Sequence, residues 1–194
     1  MSVFDSISSL YDRGMLPLEL LLLRRLRQQI FPALRGAVLE LGVGTGVNLS
    51  LYNGHADVIG FDASAEMLSW AARRDTCTPL RLVQGDAQRL PFADRHFDIV
   101  AASLLFCSVA DPAQGLAEAR RVLRQGGRLM LLEHVRGRGL GRCLTDLLHP
   151  AWHAWSQSCH LNRETVRTVS QVGFDVQRVE RHVLGIFQVI EALG

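Results

Sequence analysis

The stretch Val38-Leu39-Glu40-Leu41-Gly42-Val43-Gly44-Thr45-Gly46 decides how the rest of the chain is read. A short apolar run ends in an acidic residue, and three alternate glycines follow. Without a Cβ, glycine lets the backbone turn tightly and lets a ligand come close to it. The pattern predicts a strand over 37–42 and a helix over 46–53, whose N-terminal amides face the turn. Strand, glycine loop and helix together make a nucleotide-binding unit.

The spacing then narrows the nucleotide. A dinucleotide site uses G-x-G-x-x-G, its third glycine packing helix against strand. Here the spacing is G-x-G-x-G, and Val47 occupies the third-glycine slot. Glu40, two residues before Gly42, would sit poorly beside a pyrophosphate and suits a ligand with a positive end. Asp62 closes the run Asp57-Val58-Ile59-Gly60-Phe61-Asp62, at the distance where a carboxylate meets ribose hydroxyls. Glu40, Gly42, Gly44, Gly46 and Asp62 together fit S-adenosylmethionine, which has a ribose, a sulfonium, an amino group and no phosphate.

At this point the chain resembles the class I methyltransferases. Residues 40–46 look like their first motif, and Asp62-Ala63-Ser64-Ala65-Glu66-Met67-Leu68 like their second. Gly85-Asp86-Ala87, with Leu90-Pro91-Phe92 behind, looks like the adenine-contacting third. Phe97-Asp98-Ile99-Val100 and Arg121-Val122-Leu123-Arg124-Gln125-Gly126-Gly127 look like the fourth strand and the turn into the fifth. The resemblance implies cofactor contacts from Glu40, Gly42, Gly44, Thr45, Gly46, Asp62, Ala63, Met67, Asp86, Ala87 and Ser103. It also implies S-adenosylhomocysteine as product.

Composition agrees with one folded unit. A chain of 194 residues, 48% of them apolar, is long enough for a real core. The formal charge of +2 and the absence of a long basic run argue against nucleic acid as partner. Cys77, Cys107, Cys143 and Cys159 show no C-x-x-C spacing, so they read as reduced thiols in a cytoplasmic protein, and no metal site is expected. No sequence feature sets an oligomeric state.

Residues 1–34 read as an N-terminal helical lid. Leucine dominates 16–26, with Arg24, Arg25 and Arg27 at its end, and Tyr11 lies in a preceding segment expected to face the substrate. The apolar run is shorter than the ~18 residues that span a bilayer. Its alternative is peripheral membrane contact, an apolar face beside arginines. From residue 37 strands and helices alternate, which argues for a mostly parallel α/β sheet with helices on both faces. Strands are expected at 37–42, 57–62, 80–84, 97–102 and 127–133, with helices at 46–53, 64–74 and 112–124. Asp111-Pro112 opens the last of these as N-cap and first turn, and residues 125–127 stop it. The resemblance adds strands near 174–182 and 185–192, giving a seven-stranded Rossmann-like sheet of order 3-2-1-4-5-7-6.

Residues 135–173 form an insertion after the fifth strand, with Asn162 as the N-cap of a helix running to about 172. An insertion there lies at the carboxyl edge of the sheet, where open α/β folds bind ligands. It is expected to build the acceptor pocket. Candidate bases are Glu133 and His134 at the end of the fifth strand and His149 in the insertion. His149 and His153 are spaced to share a helix face. Cys107, Trp152, His153 and Arg163 are expected in the pocket.

A narrower resemblance runs through Leu105-Phe106-Cys107-Ser108-Val109, Leu132-Glu133-His134-Val135, His149-Pro150-Ala151-Trp152 and Cys159-His160-Leu161-Asn162-Arg163-Glu164-Thr165. These are similar to the methyltransferase-like subgroup that includes membrane-associated thiol S-methyltransferases. Ser158 stands where that subgroup often has glycine, and its long N-terminal hydrophobic anchor is missing. The resemblance implies methyl transfer to a small, apolar acceptor, a thiol first. A phospholipid amine and a quinone-type ring carbon are the alternatives. A non-catalytic protein that binds the same cofactor is the alternative of another class.

Overall fold

The computed structural model describes residues 22–156 and 158–194, so Tyr11 and most of the expected lid lie outside the described residues. The strands are β1 (Gly36–Leu41), β2 (Ala56–Asp62), β3 (Leu80–Gln84), β4 (Phe97–Ser103), β5 (Leu123–His134), β6 (Asp175–His182) and β7 (Phe187–Leu193). The helices are α1 (Arg24–Ile30), α2 (Ala65–Ala71), α3 (Pro112–Val122), α4 (Leu140–Ser156) and α5 (Thr165–Gln171). One seven-stranded sheet runs in the order β3-β2-β1-β4-β5-β7-β6. β1 to β5 are parallel, and β7 runs antiparallel between β5 and β6. The expected order and the antiparallel last strand both hold.

β1 and β4 are central, so their residues are buried on both faces and successive side chains enter opposite cores. Leu39, Leu41 and Val100 pack with Leu116, Ala119 and Val122 of α3 and Val169 of α5. Val38, Ile99 and Ala101 pack on the other face with Leu23, just before α1, and with Leu26 and Ile30 of α1. The described part of the leucine-rich segment therefore spends its apolar face on the sheet. Arg27, grouped by sequence with the membrane-facing arginines, is only 7% exposed. Among the described residues the exposed leucines lie elsewhere, at Leu184 and at Leu140, Leu144, Leu147 and Leu148 along one face of α4. Among the described residues no helix is long and apolar enough to cross a membrane.

Three local expectations are corrected. The helix expected over 46–53 is a single 3₁₀ turn, Leu49–Leu51. Buried side chains rather than a full helix hold this segment, as the site geometry makes plain. The stop expected at residues 125–127 comes earlier: α3 ends at Val122 and β5 begins at Leu123. Leu123 pairs with Phe97, and the register then shifts, so residues 124–127 bulge with Gly126 at φ +74°. α5 starts at Thr165 with Glu164 as its N-cap residue and no side-chain cap, so Asn162 does not cap it. Asp111 does cap α3, its Oδ1 accepting from Ala113 and Gln114 N–H at 3.0 Å.

Candidate active site

Two groups of residues meet at the carboxyl ends of the parallel strands. The first surrounds the glycine loop. Gly42 and Val43 N–H both donate to the Phe61 carbonyl at 2.8 and 3.1 Å, which ties the loop to β2. Gly44 N–H donates to Asp62 Oδ2, and Ser64 N–H to Asp62 Oδ1, each at 2.9 Å. The three glycines have φ of +65°, +55° and +77°, and each is needed for a separate reason. A Cβ on Gly42 would fall 2.8 Å from Leu105 Cδ1, and one on Gly46 3.0 Å from Ala71 Cα of α2. A Cβ on Gly44 would meet only the Gly42 carbonyl oxygen, at 3.9 Å. Gly44 therefore borders open space at the strand ends, while Gly46 performs the close packing that a dinucleotide loop assigns to its third glycine. An adenosyl ligand fits this arrangement: the cradle at Gly44 is open, and the Asp62 carboxylate stands beside it at the end of β2.

Glu40 is placed differently from the sequence expectation. Its carboxylate is fully buried instead of facing a positive ligand. Asn48 Nδ2 donates to Oε1 at 2.7 Å, and the Tyr52 hydroxyl to Oε2 at 2.9 Å. Burial pushes the carboxyl up to about 7, against those two hydrogen bonds and the nearby Arg27 charge. Glu40 thus clamps residues 48–52 beneath the loop in place of the missing helix. Arg27 Nε donates to Ser103 Oγ at 3.3 Å, so the Ser103 hydroxyl is engaged from α1. Asn48, Tyr52 and Arg27 escaped the sequence reading. For Asn48 and Tyr52 the only signal was polarity amid apolar neighbours, and no motif marked it; Arg27 stood among other polar residues and gave none.

The remaining cofactor candidates sit on the same edge. Met67 is buried in the first turn of α2 and Ala87 just after β3, while Ala63 is exposed. The exposed Asp86 accepts from Gln88 N–H at 2.9 Å. The Thr45 carbonyl accepts from Arg74 Nε at 2.9 Å.

The second group lies at the ends of β4 and β5. Glu133 is fully buried, and its Oε1 accepts from Leu105 and Phe106 N–H at 2.9 and 2.8 Å. Its Oε2 is enclosed without a hydrogen-bond partner. Burial raises its pKa, opposed by those backbone donors and His134. Glu133 shapes the turn after β4, where Leu104 takes φ +57°. His134 is 6% exposed, and its Nε2 lies 2.7 Å from Cys159 Sγ. That nitrogen is therefore turned to Cys159 and not to an open cleft. The Cys107 thiol completes the group: the ligand atoms of Cys107, His134 and Cys159 all lie within 4.8 Å of one another.

The insertion docks onto the same turn. His160 N–H donates to the Cys107 carbonyl at 2.9 Å, and Arg163 Nη1 donates to the Phe106 carbonyl. Within α4, His149 and His153 do share a face, their ring centroids 5.6 Å apart. His160 joins them at 5.5 and 4.4 Å, making a three-imidazole cluster the sequence did not reveal. Burial lowers the His160 pKa, with Arg163 and the other two histidines adding to it. Trp152 lies half-buried in the same helix. The structure thus gathers Cys107, Glu133, His134, His149, His153 and Arg163 at one edge of the sheet.

Comparison with known proteins agrees with this geometry. The methyltransferase domain family matches residues 39–131. The chain is 41% identical over 103 residues to a phosphatidylethanolamine N-methyltransferase of Cereibacter sphaeroides, covering 51% of each protein. It is 31% identical over 150 residues to thiol S-methyltransferase TMT1B of Rattus norvegicus, covering 74% of this chain and 62% of that one. It thus spans about half to three fifths of the length of these relatives. Among solved structures, a SAM-dependent methyltransferase of Thermotoga maritima is 25% identical with a TM-score of 0.74, covering 98% of this chain and 97% of the other. By its sheet order, its glycine loop and these likenesses, the chain belongs to the class I methyltransferases, whose cofactor is S-adenosylmethionine.

Proposed function

We propose that the protein transfers the methyl group of S-adenosylmethionine to a small, soft acceptor, a thiol. The observation that carries this is the make-up of the acceptor edge. At the ends of β4 and β5 the side chains are thiols and imidazoles, and the carboxylate there, Glu133, is sealed inside. An ammonium acceptor needs a reachable anion to bind it, and Glu133 offers none. A thiol needs an apolar surface and a proton acceptor, and this edge has both. The match to the rat thiol S-methyltransferase supports the reading, because its 150 residues extend beyond the segment 39–131.

The bound cofactor supplies a methyl group on a sulfonium whose leaving sulfur is neutral, so the protein's task is chiefly positioning. Gly44 and Asp62 would seat the ligand at the ends of β1 and β2. α4 and residues 158–163 roof the acceptor side and exclude water. A free thiol has a pKa of about 8.5, so most of it is protonated at neutral pH. His149 and His153 each keep an Nδ1 without a hydrogen-bond partner, and these are the nitrogens to receive the thiol proton. His134, the first choice from sequence, acts through Cys159 in this arrangement.

An acceptor screen tests the proposal by following S-adenosylhomocysteine release with an alkyl thiol, a phosphatidylethanolamine and a hydroquinone side by side. The thiol should turn over fastest. A faster amine or hydroquinone would replace it as acceptor. Cofactor binding without turnover of any of the three would favour a non-catalytic binding protein.

A further inference from the structure

We infer that Cys107, His134 and Cys159 form a binding site for one zinc-class divalent cation, with a fourth position open to a thiolate. The three ligands come from three separate segments: the turn after β4, the last residue of β5, and the loop after α4. Their ligand atoms all lie within 4.8 Å of one another. A tetrahedral zinc site with bonds near 2.3 Å to sulfur and 2.0–2.1 Å to nitrogen separates sulfur from nitrogen by ~3.6 Å and two sulfurs by ~3.8 Å. The 2.7 Å contact between His134 Nε2 and Cys159 Sγ and the 4.8 Å limit of the cluster bracket those values.

The donor chemistry points to the same class of ion. Two thiolates and an imidazole are the soft ligands that select zinc over calcium or magnesium. Two thiols give up their protons as the cation binds, so two negative charges meet two positive ones and the site is neutral. Cys107 is 1% exposed and His134 6%, so water competes poorly for the ion. The backbone around the ligands is already fixed. Glu133 holds the turn through Leu105 and Phe106, and His160 N–H holds the Cys107 carbonyl. Three protein ligands leave one position vacant, the arrangement of catalytic zinc sites, not structural ones. Cys159 is the one ligand of the three that reaches the surface, so the vacancy opens on its side. A thiol acceptor entering there would bind as thiolate, its proton passing to His149 or His153, and be held ready for transfer. This last clause rests on the thiol reading above; the cation site does not.

The bland alternative is a hydrogen-bonded core cluster, in which the Cys107 thiol donates to the Leu104 carbonyl at 3.3 Å. Cobalt(II) distinguishes the two. The full chain, kept reduced with a phosphine, should take up one equivalent of cobalt with a thiolate-to-cobalt charge-transfer band in the near ultraviolet. Zinc should displace it stoichiometrically. Cys159→Ser and Cys107→Ser should each weaken uptake by about 100-fold or more, and circular dichroism checks that they fold. No band in the wild-type chain, or a band unchanged in both variants, overturns the site. Adding 2-mercaptoethanol should shift the band as a further sulfur enters, and an unmoved band overturns the open position. Cobalt binding without thiol turnover would leave the cation site standing and remove the thiol reading alone.

Discussion

The ends of β1 and β2 and the ends of β4 and β5 belong to one cleft but are assembled differently. On the first side the contacts are short-range in sequence. Glu40 meets Asn48 and Tyr52, 8 and 12 residues away, and Asp62 meets Gly44, 18 residues away. On the second side Glu133 meets Leu105 from 28 residues away, His134 meets Cys159 from 25, and Arg163 meets Phe106 from 57. The first side is a rigid seat completed by its own loop. The second is a junction that exists only once the insertion has docked, and it leaves several buried polar atoms unsatisfied, among them Glu133 Oε2 and Nδ1 of His149 and His153, against Asn48 Oδ1 on the first side. Buried polar atoms without partners are rare, and a ligand or reacting group is one of the few things that explain a cluster of them.

The largest effect expected on this contrast comes from Gly44→Val. The position has φ +55° and faces open space. A β-branched side chain would be strained there and would fill the cofactor's cradle, so affinity for S-adenosylmethionine should fall by ~100-fold or more, roughly 3 kcal/mol. Calorimetric titration measures it, and affinity within a few fold of wild type would remove the cradle from this position.

Next in size is the pH dependence set by Glu40. Its carboxyl is raised from 4.5 to about 7 in the folded chain, so the folded state holds the proton more tightly than the unfolded one. Stability from this group is full below pH 4.5 and is lost as pH rises through 7, in total about 3 kcal/mol. Glu40→Gln should flatten that slope in melts between pH 4.5 and 8, since the Asn48 carbonyl, now unpartnered, can accept from the new amide. An unchanged slope would place the titration elsewhere.

Asp62→Ala should weaken the cofactor by ~1–3 kcal/mol, through lost charge-assisted hydrogen bonds. It also frees Gly44 and Ser64 N–H, so the melting temperature should drop together with the affinity. The smallest effect tests the other side. His149→Ala should lower turnover about tenfold while leaving cofactor affinity intact, because His153 remains beside it to accept a proton. A loss of cofactor affinity as large as that of Asp62→Ala would erase the distinction between the two sides.

The same contrast explains what could be read before the structure. The glycine loop, Asp62 and the Asp111 cap were legible because each is a contiguous pattern with a fixed physical meaning, and the strand order came with the family resemblance that those motifs carry. Glu40 was visible as an acid at the right place, yet its direction was not. Whether a carboxylate faces a ligand or is swallowed by Asn48 and Tyr52 depends on how the following segment folds, and that segment is a 3₁₀ turn where a helix was expected. Arg27 looked like a surface charge because its helix carries two exposed arginines beside it. Its burial against Ser103 follows from the packing of α1 onto the sheet.

Sequence by itself determined the class of fold and the cofactor, because a nucleotide-binding turn is a local object whose backbone conformation and ligand donors lie within a few residues of each other. Tertiary structure alone decided the acceptor edge. Cys107, His134 and Cys159 become neighbours only because β4 and β5 are adjacent and parallel and the insertion folds back over their ends. No spacing along the chain encodes that meeting; it is set by sheet register and by the packing of α4 and the loop after it.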